Sequence, residues 1–178
     1  MKPLKRLSRE LVYKGAIIDL YRDKVQDQDG HIQDYDFIGH KGAAAVMPVT
    51  DEGKIVMVRQ YRNALDRFTL EIPAGGLNGV DEPGIVCAAR ELEEETGYKS
   101  DELEHLNTIN TTIAFCNEKI EIYVARNLQK SKQNLDEGEY VDVEEYTIEE
   151  LVEKVYNTEI LDAKTVASIM AYYNKFGR

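Results

Sequence analysis

Cysteine is scarce. The 178 residues hold two, Cys87 and Cys116, too few for a disulfide framework or a cysteine-built zinc site. That usage makes a cytoplasmic setting with reduced thiols the expectation. Long apolar runs are missing too. The longest, Ala43 to Val49, contains Pro48 and falls far short of the roughly 20 residues that a membrane span needs. The basic start Met1-Lys2-Pro3-Leu4-Lys5-Arg6 is not followed by an apolar stretch, so no signal peptide is expected. Positive charge is in deficit: 22 Lys and Arg against 33 Asp and Glu leave a net charge of −11. Such a balance argues against nucleic acid as a partner. It also means that an anionic substrate must meet something that offsets the repulsion. No internal repeat or low-complexity tract occurs. What is present suffices to fold: 43% of the residues are hydrophobic, enough for one full domain or a domain with a small subdomain.

Turn-forming residues divide the chain. Residues 10–20 read as one strand, with Leu11, Val12, Ile17 and Ile18 as its apolar content. Asp29-Gly30 marks a hairpin between residues 21–25 and a strand near 32–38. Residues 1–41 are therefore expected to form a small antiparallel β subdomain, with 42–178 as the larger domain. There, Ala43–Val49 reads as a buried strand, and Asp51-Glu52-Gly53-Lys54 suggests a hairpin to the strand that begins at Ile55. Phe68–Ile72 is a further strand, ended by Pro73. The helix that follows has Pro83 in its first turn, Gly97 past its end, and Ile85, Ala88, Ala89 and Leu92 as its inward stripe. Lys119–Ala125 and Val141–Tyr146 read as strands, the first with Ile120, Ile122 and Val124 on one face. Thr147-Ile148-Glu149-Glu150 fits a capping box. A last helix spans 163–175, with Val166, Ile169, Met170 and Tyr173 inward. The interleaving predicts an α+β fold in which helices cover both faces of a sheet.

The chemistry concentrates between Gly76 and Tyr98. Glu82 follows Gly76 after five residues, and Arg90-Glu91-Leu92-Glu93-Glu94-Glu95-Thr96-Gly97-Tyr98 follows Glu82 after seven. Helical geometry puts Glu91, Glu94 and Glu95 on one face, at i, i+3 and i+4, with Cβ atoms about 5–6 Å apart. Glu93 points elsewhere. Three like charges on one face destabilise a bare helix, and a hard divalent cation such as Mg²⁺ or Mn²⁺ resolves the conflict. Arg90 is placed to brace Glu82 or Glu94. The glycines of Pro73-Ala74-Gly75-Gly76 let a backbone carbonyl approach the same cation. An acidic helix is ordinarily just a solvated face. The full spacing, however, would arise by chance in about one in a million chains of this composition.

The stretch Gly76-x5-Glu82-x7-Arg90-Glu91-Leu92-x-Glu94-Glu95-x-Gly97-Tyr98 resembles the Nudix hydrolase signature, departing from it only in Tyr98, where an aliphatic residue is commoner. The resemblance implies an α/β/α sandwich with a mixed sheet. It also implies Mg²⁺-dependent hydrolysis of a nucleoside diphosphate linked to another moiety, with two or three ions held by Glu91, Glu94 and Glu95. Two further segments, Arg59-Gln60-Tyr61-Arg62 and Leu70-Glu71-Ile72-Pro73-Ala74-Gly75, are similar to the ADP-ribose and nucleotide-sugar pyrophosphatase branch, as is Glu159-Ile160-Leu161-Asp162-Ala163-Lys164-Thr165. That likeness implies that the Ala74 carbonyl joins the metal ligands and that Arg62, with Arg59 beside it, contacts substrate phosphates. It also implies a homodimer with exchanged N-terminal strands. The branch often carries Ser-Pro-Gly and then a glutamate on a mobile loop. Here the run is Thr112-Ile113-Ala114-Phe115-Cys116-Asn117-Glu118, so the proline and glycine are replaced and Glu118 stands where the glutamate belongs. Glu118, or failing it Glu94, is then the expected base, with Arg90 orienting the box carboxylates. GDP-mannose, dinucleoside polyphosphates and nucleoside triphosphates are the alternative substrates. A nucleotide-sensing module without activity is the alternative from another class, set against the intact box.

Overall fold

The structure is a computed structural model that describes residues 3–16 and 18–177. The chain divides into two compact units: residues 1–42 with 110–119, and residues 43–109 with 120–178.

In the first unit, β1 (Lys5–Lys14), β2 (Asp19–Gln26) and β3 (Ile32–Gly39) form an antiparallel sheet in that order. The sheet is held by a charged pair more than by a core. Arg9 lies directly opposite Asp23 and donates to it through Nε (2.7 Å) and Nη2 (2.6 Å), with its guanidinium 3.6 Å from the Phe37 ring centroid. Gly30 adopts a positive φ of 91° in the turn announced by Asp29-Gly30. The single strand expected over 10–20 is instead two strands. The chain turns after Lys14, where the Gly15 N–H donates to the Ile18 carbonyl at 2.9 Å. A Cβ on Gly15 would lie 2.5 Å from that oxygen, so the turn requires glycine there. Ile17, part of that expectation, lies outside the described residues.

The second unit is built around β4 (Ala43–Pro48), all six residues of which are buried. The next elements are β5 (Ile55–Arg62), β6 (Arg67–Glu71), β7 (Ala74–Gly76) and α1 (Gly84–Thr96). The short β8 (Tyr98–Lys99), then β9 (Glu102–Asn110), β10 (Lys119–Arg126) and β11 (Gln129–Lys130) follow. The chain closes with β12 (Val141–Tyr146), α2 (Ile148–Tyr156) and α3 (Ala163–Phe176). One sheet has the order β7-β4-β10-β9, with β10 parallel and β7 antiparallel to β4; a second has the order β12-β5-β6. The hairpin expected between β4 and β5 is not formed. The turn at Gly53 is present, but the strands share a single bridge, Val49 to Ile55, and then enter different sheets. Pro48 at the end of β4 lacks an N–H, which suits a strand that stops pairing there.

Alternation along β4 and β10 sorts the core into two layers. Ala44, Val46, Tyr123 and Ala125 face Cys87, Ala88 and Leu92 of α1. Ala45, Met47, Ile120, Ile122 and Val124 face the opposite layer, with Leu151 of α2 and Ile169 and Tyr172 of α3. Helices therefore cover both faces, as expected. The capping box at Thr147 and Glu150 closes in both directions. Two inward stripes differ from expectation. On α3 the buried residues are Lys164, Thr165, Ser168, Ile169 and Tyr172, and Tyr173 is exposed. On α1, Ile85 is 43% exposed and the stripe runs through Ala88, Glu91, Leu92 and Glu95. The first turn of α1 lies against polar atoms, for a Cβ on Gly84 would come 2.3 Å from Glu121 Oε2, so apolar packing starts one turn later. Among the described residues no helix is long and apolar enough to cross a membrane.

Truncation distinguishes the two stripes. Leu92→Ala should lower the unfolding free energy by about 3 kcal/mol, and Ile85→Ala by about 0.5 kcal/mol or less, measured by urea denaturation.

Candidate active site

The acidic helix begins after Pro83, whose extended backbone forms the N-cap, and ends at Gly97, where a φ of 70° lets the N–H return to the Glu93 carbonyl. Within it, Glu91 and Glu95 share the buried stripe with Leu92, while Glu94 is partly exposed. Glu93 faces away and accepts from the Ser131 hydroxyl.

Arg90 ties the carboxylates together. Its Nη1 donates to Glu91 Oε1 (2.5 Å) and Glu94 Oε2 (2.8 Å), and its Nη2 donates to the Gly76 carbonyl (3.0 Å) and Cys87 Sγ (3.3 Å). Its Nε lies 3.6 Å from Glu82 Oε1. Glu82 in turn accepts from the Asn78 N–H at 2.5 Å, which fixes the loop before the helix. Burial would lower the Arg90 pKa, but Glu91 and Glu94 outweigh it and hold the guanidinium charged. Cys87 is core packing, with burial pushing its thiol up to about 11.

β7 approaches this face closely. A Cβ on Gly75 would lie 2.0 Å from Glu91 Oε1, so any other residue there would push the Glu91 carboxylate out of this position. The Val46 N–H donates to the Pro73 carbonyl at 2.9 Å, which makes the adjoining Ala45–Ala74 pair the non-hydrogen-bonded one. The N–H and C=O of Ala74 are therefore directed away from β4. The N–H donates to Glu95 Oε2 at 3.0 Å, and the carbonyl is left on the same outer edge of β7. Burial pushes Glu95 up to about 8, against the Ala74 N–H, with the charges of Glu91 and Glu139 adding to the rise. Burial raises Glu91 as well, opposed by Arg90. The two buried carboxylates and the outward-directed Ala74 carbonyl form an all-oxygen donor set that suits a hard divalent cation.

The loop 131–140 is clipped onto the end of α1. The Asn134 N–H donates to the Glu94 carbonyl (2.9 Å), and Gln133 Nε2 donates to the carbonyls of Glu95 (2.7 Å) and Val141 (3.2 Å). Open carbonyls of the helix's last turn are thereby satisfied. The loop carries Glu139, an exposed carboxylate whose charge raises both Glu91 and Glu95. Sequence reasoning missed Glu139. Its only sequence signal is a carboxylate between Gly138 and a strand, some forty residues beyond the box.

Arg59 and Arg62 stand three apart on β5 and so face opposite sides of the sheet. Arg59 clamps Glu144 through Nε (2.5 Å) and Nη2 (3.1 Å). Arg62 clamps Glu71 through Nε (2.8 Å) and Nη2 (2.7 Å). In the first unit, Glu118 accepts from Thr111 Oγ1 (2.7 Å) and lies 3.5 Å from His40 Nε2. That unit also gathers Asp27, Asp29 and His31, with ligand-capable atoms within 4.8 Å. Their hydrogen bonds close an exposed turn, with Asp27 Oδ1 accepting the N–H groups of Asp29 and His31 at 2.9 Å.

Residues 39–168 match the model of the NUDIX domain, and residues 4–38 match that of the nucleoside diphosphate sugar hydrolase N-terminal domain. The chain belongs to the Nudix family. An ADP-ribose pyrophosphatase of Bacillus subtilis (strain 168) is 41% identical over 93% of this chain and 90% of its own length. A methanol dehydrogenase activator of Bacillus methanolicus is 39% identical over the same shares. A solved structure titled ADP compounds hydrolase superposes with a TM-score of 0.86 over 98% of this chain and 94% of that one. At 19% identity it bears out the fold alone: a mixed-sheet α/β/α Nudix sandwich with antiparallel N-terminal strands. The Nudix box expected from the spacing of Gly76 to Tyr98 thus lies on a Nudix hydrolase scaffold, and the family generally uses divalent metals.

The Glu71 clamp gives a pH prediction. Burial would raise the Glu71 pKa, but Arg62 and Lys164 outweigh it and bring it to about 2 from 4.5. A depressed carboxyl stabilises the fold above its unfolded pKa and loses that contribution as pH falls through the folded value. Glu71→Gln should therefore cost about 3 kcal/mol at pH 7. The difference from the parent should shrink below pH 4.5 and vanish near pH 2, checked by urea denaturation across that range.

Proposed function

We propose that this Nudix hydrolase cleaves the pyrophosphate of ADP-ribose, giving AMP and ribose 5-phosphate, or of a related nucleoside diphosphate sugar. The carrying observation is the acid cluster of α1, braced by Arg90 and by the Ala74 N–H, on a chain 41% identical to an ADP-ribose pyrophosphatase. The match of residues 4–38 to the nucleoside diphosphate sugar hydrolase N-terminal model favours the same substrate class.

Glu91, Glu94, Glu95 and the Ala74 carbonyl would hold Mg²⁺, with Mn²⁺ as a substitute. When bound, the divalent ions supply Lewis acidity toward the pyrophosphate oxygens and favour ionisation of the attacking water. Arg90 keeps the carboxylates of Glu91 and Glu94 in one orientation, and the Ala74 N–H fixes Glu95. Arg62 presents its guanidinium to a substrate phosphate, and Arg59 extends positive charge on the other face of β5. Water adds to one phosphorus as the bridging oxygen leaves with the other phosphate, and a carboxylate takes the water's proton. Glu118 is the first choice for that base, with Glu94 the alternative within the box. A second reading assigns the role to Glu139, because its charge bears on Glu91 and Glu95 and its loop is fastened to the same helix.

The same reading makes the protein a cytoplasmic homodimer in which residues 1–41 are exchanged. In support, β1 is exposed along its whole length, leaving Leu7, Leu11, Val12 and Tyr13 uncovered. Light scattering should give twice the mass of 20.3 kDa; a monomer at micromolar concentration would remove the dimer.

Incubating the protein and Mg²⁺ with ADP-ribose, GDP-mannose, UDP-glucose, a dinucleoside polyphosphate and nucleoside triphosphates, with products separated by chromatography, tests the substrate class. AMP and ribose 5-phosphate should dominate. Glu95→Gln should lower turnover by about 10³-fold or more with the melting profile retained. Of Glu118→Gln, Glu94→Gln and Glu139→Gln, the base is the one whose loss removes the acidic limb of the rate–pH profile.

A further inference from the structure

Away from the acidic helix, the most deeply buried charge belongs to Glu71 at the end of β6. It is 2% exposed and accepts from three groups. Arg62 donates to both its oxygens at 2.8 and 2.7 Å, Thr69 Oγ1 donates to Oε1 at 2.7 Å, and Lys164 Nζ donates to Oε2 at 2.5 Å. Lys164, in the first turn of α3, is itself buried and also donates to Asp162 at 2.9 Å.

Strand register explains the arrangement. Thr69 pairs with Gln60 and Glu71 with Val58, so Arg62 reaches Glu71 diagonally across one face of the hairpin. The residue directly opposite Arg62 is Arg67, and like charges so placed repel. Glu71 supplies the missing counter-charge and fixes the guanidinium plane through a two-pronged contact. The Nη1 side of Arg62 has no hydrogen-bond partner among the described residues. Arg62 lines a cavity of about 390 Å³ together with Arg67, Lys164, Leu65 and Leu161. The charge of Glu95 acts on Arg62, and that of Lys164 on Glu95, so this cluster and the acidic helix share one electrostatic field.

A lone Glu–Arg pair would orient the arginine and cancel its charge together. Here Arg62, Arg67 and Lys164 outnumber Glu71 and Asp162 by one. Asp162 is also occupied as the N-cap of α3, accepting the Thr165 N–H at 3.0 Å. We propose that Glu71 is a positioning residue for Arg62, and that Lys164 is the counter-ion that keeps the clamped arginine available to a substrate phosphate. The proposal rests on the phosphate role given to Arg62 above. It assigns the β5–β6 hairpin and the start of α3 a joint task, holding one guanidinium in plane without neutralising it. The ionised state of Glu71 at all working pH values, with its pKa near 2, accords with that task.

The test combines two readouts on Glu71→Gln, Lys164→Met and Arg62→Ala. The Arg62 Nε–H resonance of ¹⁵N-arginine-labelled protein reports the clamp. Calorimetric affinity for inorganic pyrophosphate with Mg²⁺, together with KM and kcat for ADP-ribose, reports phosphate binding. Glu71→Gln should abolish the sharp, slowly exchanging Nε–H signal, weaken pyrophosphate about tenfold, and raise KM more than it lowers kcat. Lys164→Met should keep the signal and still weaken pyrophosphate about tenfold, and Lys164→Arg should restore it. Neither change should weaken binding further in Arg62→Ala. An unaltered Nε–H signal in Glu71→Gln, or losses that add fully to that of Arg62→Ala, would overturn the proposal. If Glu71→Gln melts, Lys164→Met decides. Should the protein cleave no nucleotide sugar, the substrate reading fails, and pyrophosphate affinity still judges the clamp.

Discussion

Two carboxylates are buried on the same helical stripe as the leucine that anchors the helix. Glu91 and Glu95 lie in register with Ala88 and Leu92. The apolar packing that fixes α1 therefore also takes both acids out of water. Burial alone disfavours their charged forms, which is why the Glu95 pKa rises to about 8. Solvent cannot relieve the conflict, because Leu92 sits fully buried beside them. Relief comes from the Arg90 guanidinium on the same helix and from the Ala74 N–H that the fold carries to Glu95. A structure that merely displayed acids on a surface would need none of these.

The strand β4 makes that delivery possible. Its Ala43-Ala44-Ala45 start has side chains small enough for α1 to pack on one face and the α2–α3 layer on the other. Its edge pairs with β7, and the register with Pro73 turns the Ala74 backbone toward Glu95. Gly75 then permits the contact with Glu91 that any side chain would block. The order of constraints runs from strand to loop to helix. The β4–β7 pairing sets the loop, the loop sets the carboxylates, and Arg90 closes the circle by returning to the Gly76 carbonyl.

Much of this was legible in the sequence, because an acidic motif on one helix is a local pattern. Spacing alone placed Glu91, Glu94 and Glu95 on one face and put Arg90 within reach of Glu82 or Glu94; the structure shows it near both. What spacing cannot supply is the helix's rotation about its own axis. Ile85 reads as inward on apolar character, yet Gly84 rests against Glu121 and leaves Ile85 in solvent. The β4–β5 turn was legible and the pairing was not, since a strand's choice of sheet depends on partners far along the chain. Arg59 and Arg62 read as a pair from their proximity, whereas strand alternation sends them to different carboxylates, Glu144 and Glu71. Glu139 reaches the site through a remote loop held by Gln133 and Asn134, and nothing near the box announces it.

A net charge of −11 suggests a poor receptor for a pyrophosphate, but net charge is the wrong quantity at this range. Screening confines charges to a neighbourhood of roughly 8–10 Å in physiological salt, so local pairing decides. The arginines of α1 and β5 are fixed by carboxylates: Arg90 by Glu91 and Glu94, Arg62 by Glu71, Arg59 by Glu144. Such clamps reduce the entropy lost when an arginine meets phosphate, but each also consumes charge. Lys164 and Arg67 around Glu71 restore a local excess that the whole-chain count conceals. At the helix the balance is inverted, with carboxylates in excess of the one guanidinium of Arg90. An acidic protein can thus carry two local fields of opposite sign, a positive one built from arginine and lysine around Glu71 and a negative one along the acidic helix.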